Sequence, residues 1–495
     1  MIIPQKHTNT FLFCAVVAFF HFITGLVGIL NHEIWSDEAH HFLLARDSSS
    51  LTELYKNAAY DGHPLLWDGL LFLITRFSSS VIYMQLLNIS IMSGTVFLFL
   101  KHAPFKKVFS ALIVFGCFFI YEYHIISRNY AISVFFITLV FIQLNKPVKD
   151  HLSIAMCLLA LSFTHIYSIL IVITLCLVLI FTNKNTGVKC VYLALLVIGT
   201  LILFSLKVPA DHILFKYDID PLLSFKRFGK AFSIYLKGIL PLPDFTSSKV
   251  WNSNLIIAWS KPFAVVLSFV FALAPFFIFK KERFVLFFFY FSTVFICVFI
   301  YVSPIIVATR HAGFIFVILI FSFWLRNILY PTEGEKNKVY QKIAIVVLAL
   351  HVVSGFYLFV TDVKRPFSNS KNAAIYLQKN NLQNKVILLS NLSSGPAVSA
   401  YLNKKIMYLE TGVNSSFCTW NTWPFILTKP NFERKLQRLA KNDTSVLLVN
   451  TFYLKKNLGN SIDSLPGFKI LKLTTFDDAM VDVENYNVYY LIKNN

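Results

Sequence analysis

Long apolar runs alternate with short polar connectors through the first 360 residues, a pattern that predicts a polytopic α-helical membrane protein. The runs lie at 11–30, 81–100, 108–121, 129–144, 152–164, 166–181, 190–206, 262–279, 284–304, 312–328 and 343–360, about eleven spans in all. The stretch 152–181 is divided at Thr164-His165. A single thirty-residue helix would be ~45 Å long, well beyond a ~30 Å hydrocarbon core.

Two stretches break the pattern. Residues 31–80 are predicted to lie at the outer membrane face, with short surface helices over 37–44 and 51–59, the second capped by Ser50 or Thr52. The segment 65–77 is apolar but short and contains Asp68 and Arg76, which suits a helix lying in the interface. The second stretch is the outer loop 207–258. From 362 onward the chain turns polar, and helix and strand signals alternate: helices at 371–379, 397–402 and 432–440, strands at 385–390, 406–409, 445–450, 468–473 and 487–492. The domain division is therefore 1–361, membrane, and 362–495, a small extramembrane α/β domain.

Composition agrees. The 495 residues are 56% hydrophobic and 14% charged, whereas soluble domains carry about 25% charged residues. The formal charge of +20 would suggest nucleic acid on a soluble protein, but much of the basic excess sits in short connectors, so the positive-inside rule accounts for it and no nucleic-acid partner is expected. Lys6 ahead of the first span places the N-terminus in the cytoplasm of a cell (inner or plasma) membrane, and an odd number of spans then places the C-terminal domain outside. The seven cysteines form no CxxC pair, and their setting in apolar runs suits packing.

The candidate chemistry gathers at the outer face. Asp37-Glu38 follows the first span, with His40 and His41 one turn on, so that Asp37 and His41 share a helix face. Gly62-His63-Pro64 returns to the same surface, its backbone biased to an extended turn. A fixed histidine beside a carboxylate can be a metal ligand, a phosphate donor or a general acid–base group. No cofactor is required by the residues; a divalent metal ion held by Asp37, His41 and His63 is an alternative on ligand type. Arg128-Asn129-Tyr130, Thr164-His165 and Arg310-His311 stand at outer span ends, and with Lys226, Arg227 and Lys230 of the long loop they can surround one phosphate.

These motifs, W-S-D-E-A after the first span, then G-H-P-L-L, S-R-N-Y-A and T-H-I-Y, resemble the bacterial branch of the GT-C glycosyltransferases, family 39-like, related to protein O-mannosyltransferases and lipid A aminoarabinose transferases. The resemblance covers roughly residues 1–360; Leu65 stands where the family usually has a second proline. It implies transfer of a sugar from a polyprenyl-phosphate donor, at the outer face, to a hydroxyl acceptor on a glycolipid, polysaccharide or protein. By the same resemblance Asp37 is the base, Glu38 its partner shaping the acceptor or metal site, and His63 the G-H-P histidine, with Arg128 and Arg310 as span-end arginines. Donor-phosphate contacts are expected from Arg128, Tyr130, His165, Arg227, Arg310 and His311. The rival expectation is a transporter or lipid-linked sugar flippase, which would favour ionisable groups near mid-membrane rather than at one face.

Overall fold

The computed structural model describes residues 10–209, 212, 224–302, 307–331, 338–418, 420–421, 427–440, 444–450, 453–455, 462 and 467–494. Seven of its helices are long and apolar enough to cross a membrane: Phe11–Asn31, Ile82–His102, Thr186–Ser205, Lys261–Phe279, Arg283–Val302, Thr309–Leu329 and Val339–Lys364. The count of about eleven is not met by length. Tyr130–Leu144, His151–Ser162 and Ile166–Thr182 are apolar helices of 15, 12 and 17 residues. The run expected over 108–121 breaks into the helix Lys107–Val114 and a π-helical turn, Phe118–Glu122. At ~1.5 Å per residue such pieces fall short of a ~30 Å core.

The break at Gly116 has a local cause. A Cβ there would sit 3.1 Å from the Ile113 carbonyl oxygen and 3.2 Å from the His351 Cβ, so the last long helix packs directly against the bare backbone. Thr309–Leu329 is the most deeply packed of the seven, with Phe314, Phe316, Phe321 and Trp324 in the membrane core. Phe11–Asn31 and Thr186–Ser205 present mostly exposed apolar faces, as lipid-facing helices do.

The segment after the first long helix folds as expected in kind. Ser36–Asp47 and Leu51–Asn57 are helical, and Ser50 accepts the Glu53 amide as N-cap. Leu66–Thr75 is the short apolar helix. Ser36–Asp47 lies between this helix and Gly395–Leu402 of the C-terminal domain, burying Ala39, Phe42 and Leu43 with Trp67, Leu71, Ala397 and Ala400.

The C-terminal domain holds one mixed sheet with strands β1 Val386–Ser390, β2 Ile406–Tyr408, β3 Asn414–Ser415, β4 Thr444–Asn450, β5 Phe468–Phe476 and β6 Tyr486–Lys493 in the order β3-β2-β1-β4-β6-β5. β1 pairs in parallel with β2 and β4; the remaining pairs are antiparallel. β1 and β4 are apolar on both faces because both are covered. Leu388 and Leu447 pack with the helix Lys429–Leu439, and Ile387, Leu389, Val446 and Leu448 pack with Ser370–Lys379 on the other side.

Candidate active site

Where Ser36–Asp47 meets the span ends there is a cavity of about 300 Å³. It is lined by Asp37, His40, His41, Asp61, His63, Arg128, Tyr130, His165, Arg310 and His311, together with Tyr60, Tyr167, His212 and Trp420. That volume lies at the small end of the ~300–1,000 Å³ range of ligand sites.

Asp37 sits in the first turn of its helix, where the dipole favours a carboxylate. Arg128 Nη1 lies 3.1 Å from Asp37 Oδ1 and also donates to the Asp37 carbonyl oxygen at 2.5 Å. Arg310 Nη2 stands 3.5 Å from Oδ2, an ion pair without a well-formed hydrogen bond. Burial alone would raise the Asp37 carboxyl; Arg128 and then Arg310 outweigh it and hold the group well below the usual carboxylate range. Arg310 itself lies against an edge-packed indole pair, Trp35 and Trp251, whose ring centres are 5.0 Å apart; its guanidinium carbon is 5.1 Å from the first and 5.7 Å from the second. Trp251 is fixed in turn by donating to Glu122 at 3.1 Å.

The histidines fall into two kinds. His63 and His165 form a ring column, centroids 5.0 Å apart, which continues through Tyr130 at 5.0 Å from His165. Burial first and the Arg128 charge second push His63 down to about 4, so near neutral pH it is an uncharged hydrogen-bonding group and not a cation. His40 and His41 instead have carboxylate partners. His40 Nε2 is 2.9 Å from Asp61 Oδ1, and His41 Nδ1 is 2.7 Å from Asp68 Oδ1. Burial opposes charge on His40, yet Asp61 raises it above its ordinary value.

Several buried polar atoms of this cavity have no hydrogen-bond partner among the described residues: Nε of Arg128 and of Arg310, Nδ1 of His63 and of His311, and Nε2 of His165. Asp37 Oδ2, an acceptor, is unmet beside them; buried polar atoms are rarely left so, and a cluster of them around one hollow marks a place built for a polar guest, with the arginines suited to an anionic group on it.

The remaining sequence candidates lie elsewhere or act differently. Glu38 does not line the cavity. It is fully buried, its Oε1 accepting the Ser127 amide at 2.6 Å and its Oε2 lying 3.0 Å from His32 Nε2; His32 Nδ1 is 2.8 Å from Asp362. Its helix position explains this: one residue beyond Asp37, its side chain points about 100° away, into the protein. Arg227, in the helix Phe225–Phe232, is not among the lining residues, and the Lys226 side chain lies outside the described residues. The metal alternative of Asp37, His41 and His63 finds no preformed ligand set. Among the described residues no three of His, Cys, Asp and Glu are placed to hold a metal ion, because Asp37 is turned to two arginines and His41 to Asp68.

Sequence reasoning passed over Asp61, Tyr60, His212 and Trp420, and read Asp68 only as a polar residue of the interfacial helix. Asp61 was within reach as the residue before Gly62-His63-Pro64. His212 and Trp420 carry no local signal, since tertiary structure alone brings them here. No protein-family model matches the chain, and no curated protein matches it.

Proposed function

We propose that this protein is a membrane glycosyltransferase that moves a sugar from a polyprenyl-phosphate donor to a hydroxyl acceptor at the outer face of the membrane. The observation that carries the reading is the Asp37 carboxylate set between Arg128 and Arg310 at the edge of a polar cavity lined by span ends. A base and an anion clamp share one hollow, which a transfer with a phosphate leaving group requires.

On this reading the donor phosphate takes the arginines, aided by the unmet nitrogens of His63, His165 and His311 and by Tyr130. Asp37 is thereby released from its ion pairs to face the acceptor. The acceptor oxygen forms a bond to the sugar C1, its proton passes to Asp37, and the bond from C1 to the phosphate oxygen breaks. Polyprenyl phosphate departs with the electron pair, its charge met by the arginine forks, each such donor contributing roughly 2.7–4 kcal/mol. The chain then crosses the membrane eleven times in GT-C fashion, the four short or broken apolar elements serving as passes beside the seven long helices, with the N-terminus cytoplasmic and the C-terminal domain outside.

Membranes carrying wild type or Asp37→Asn, supplied with a panel of radiolabelled polyprenyl-phosphate sugars, test it. Label moving to a new product in the wild type alone is expected. Equal transfer by both proteins, or none by either with the native acceptor pool present, refutes it.

A further inference from the structure

Three chain segments far apart in sequence bring aromatic rings to one side of the same cavity. Tyr60 comes from the first outer stretch, His212 from the long loop and Trp420 from the C-terminal domain. Tyr60 and His212 are 6.1 Å apart between centroids with planes 28° apart, and His212 and Trp420 are 6.3 Å apart at 18°, so the three rings form an offset, nearly parallel series. The His40 ring stands 6.1 Å from Trp420 at 59° and 6.2 Å from Phe417 at 82°. Trp420 adopts φ 51°, a left-handed backbone rare for a bulky residue and of a kind that gathers at ligand clamps.

Beside these rings lies the His40–Asp61 pair, which the transfer chemistry above leaves unused. Both side chains are more than nine-tenths buried, at 6% and 5% exposure. The bond between them uses His40 Nε2 and Asp61 Oδ1, which leaves His40 Nδ1 and Asp61 Oδ2 buried without a partner among the described residues. His40 is three residues after Asp37, so the pair and the base share one face of the helix. The two halves of the cavity thus differ in chemistry. Around Arg128 and Arg310 it offers cationic forks; around Trp420 it offers ring faces next to one carboxylate oxygen and one imidazole nitrogen.

We infer that this second half is the acceptor subsite and that the acceptor presents a saccharide ring. A pyranose has a face of C–H bonds that suits the electron-rich face of an aromatic ring, and an edge of hydroxyls that suits a carboxylate–imidazole pair. A phosphate would be repelled by Asp61, and a plain serine or threonine side chain has no C–H face to lay against Trp420 at the cavity wall. The inference rests on the transfer reading for the word acceptor and not for the binding itself. The structure assigns a carbohydrate, either a glycolipid headgroup or a polymer, as the acceptor class.

Saturation-transfer NMR on the full chain in lipid nanodiscs tests this, with irradiation of protein aromatic protons. One arm dissolves methyl glycosides of glucose, mannose, galactose and N-acetylglucosamine around phosphatidylcholine discs; the other places a glucosyl diacylglycerol in the disc. Saturation of ring protons is expected in at least one arm, and which arm responds tells a free or polymeric sugar from a lipid headgroup. Trp420→Ala is expected to weaken that binding by about two- to tenfold, Trp420→Phe to keep most of it, and Asp61→Asn to weaken it without loss of the aromatic contact. Circular dichroism of each variant separates misfolding from loss of contact. No saturation with any probe, or saturation unchanged in folded Trp420→Ala, overturns the inference. A wild type that binds glycosides but transfers no sugar overturns the transfer reading and leaves a saccharide site.

Discussion

The Ser36 amide donates to Glu484 Oε1 at 2.7 Å, joining residues 448 positions apart at the first turn of the helix that carries Asp37. Ser368 and Ser370 hydroxyls hold the other Glu484 oxygen, at 2.5 and 3.3 Å. A second tie lies two residues earlier, where the Ile34 amide donates to the Tyr401 hydroxyl at 2.8 Å. The C-terminal domain is in this way part of the frame that sets Asp37.

Burial pushes the Glu484 carboxyl up to about 7, against the hydrogen bonds from Ser368 and Ser36, from an ordinary value of 4.5. A folded value above the unfolded one stabilises fully below pH 4.5 and is lost as pH rises through about 7. Thermal unfolding in detergent is therefore expected to show stability falling across that window in the wild type and a flatter profile in Glu484→Gln. Identical slopes would remove Glu484 from the account.

Asp37→Asn keeps the shape of the side chain and removes the proton acceptor. Transfer is expected to fall by about 10²–10⁴-fold. Capture of a photoreactive polyprenyl-phosphate sugar should persist, since the two arginines remain. Loss of capture together with transfer would make Asp37 a binding group.

Arg128→Met removes the closer of the two charges that depress the Asp37 carboxyl. In the wild type that carboxyl stays ionised as pH falls through the usual carboxylate range. In the variant its folded value rises, so the acid limb of the transfer profile is expected to move to higher pH, with an overall loss of about 10²–10³-fold from the missing phosphate contact. Arg128→Lys restores charge without the fork and should recover the pH profile more than the rate. An acid limb that stays in place in Arg128→Met would contradict the coupling.

Glu38→Ala leaves His32 Nε2 and the Ser127 amide without their partner in a fully buried setting, while His32 Nδ1 keeps Asp362. Breaking such a pair costs roughly 3–5 kcal/mol, so a lower thermal midpoint and poor recovery of folded protein are expected. A variant that folds like the wild type but transfers nothing would return Glu38 to the chemistry.

Much of this was legible in the sequence because it is local. Apolar run length located the seven long helices, local strand signals located five strands and missed the two-residue β3, and of the two cap candidates Ser50 and Thr52 the structure uses Ser50. Asp37, His63, Arg128, His165, Arg310 and His311 share the predicted outer face, and the structure brings them to one cavity. Pairings over long separations left no local trace: His32 with Asp362, Ser36 with Glu484, and His212 with Trp420. Glu38 illustrates the limit within a single turn. Two adjacent acids look alike in a string of letters, yet a helix turns them about 100° apart, one to the cavity and one to the interior.

The shortness of Tyr130–Leu144 and Ile166–Thr182 has a consequence for water. At 15 and 17 residues they measure about 22 and 26 Å against a ~30 Å core. Their first turns carry Tyr130 and bring His165 to the cavity wall; on the proposed reading, in which both helices are passes, the shortfall is taken at this end and the surrounding lipid thins to meet it. On that reading a lipid-borne phosphate slides in sideways with its tail still in hydrocarbon, and the activated sugar would meet its acceptor set back from bulk water.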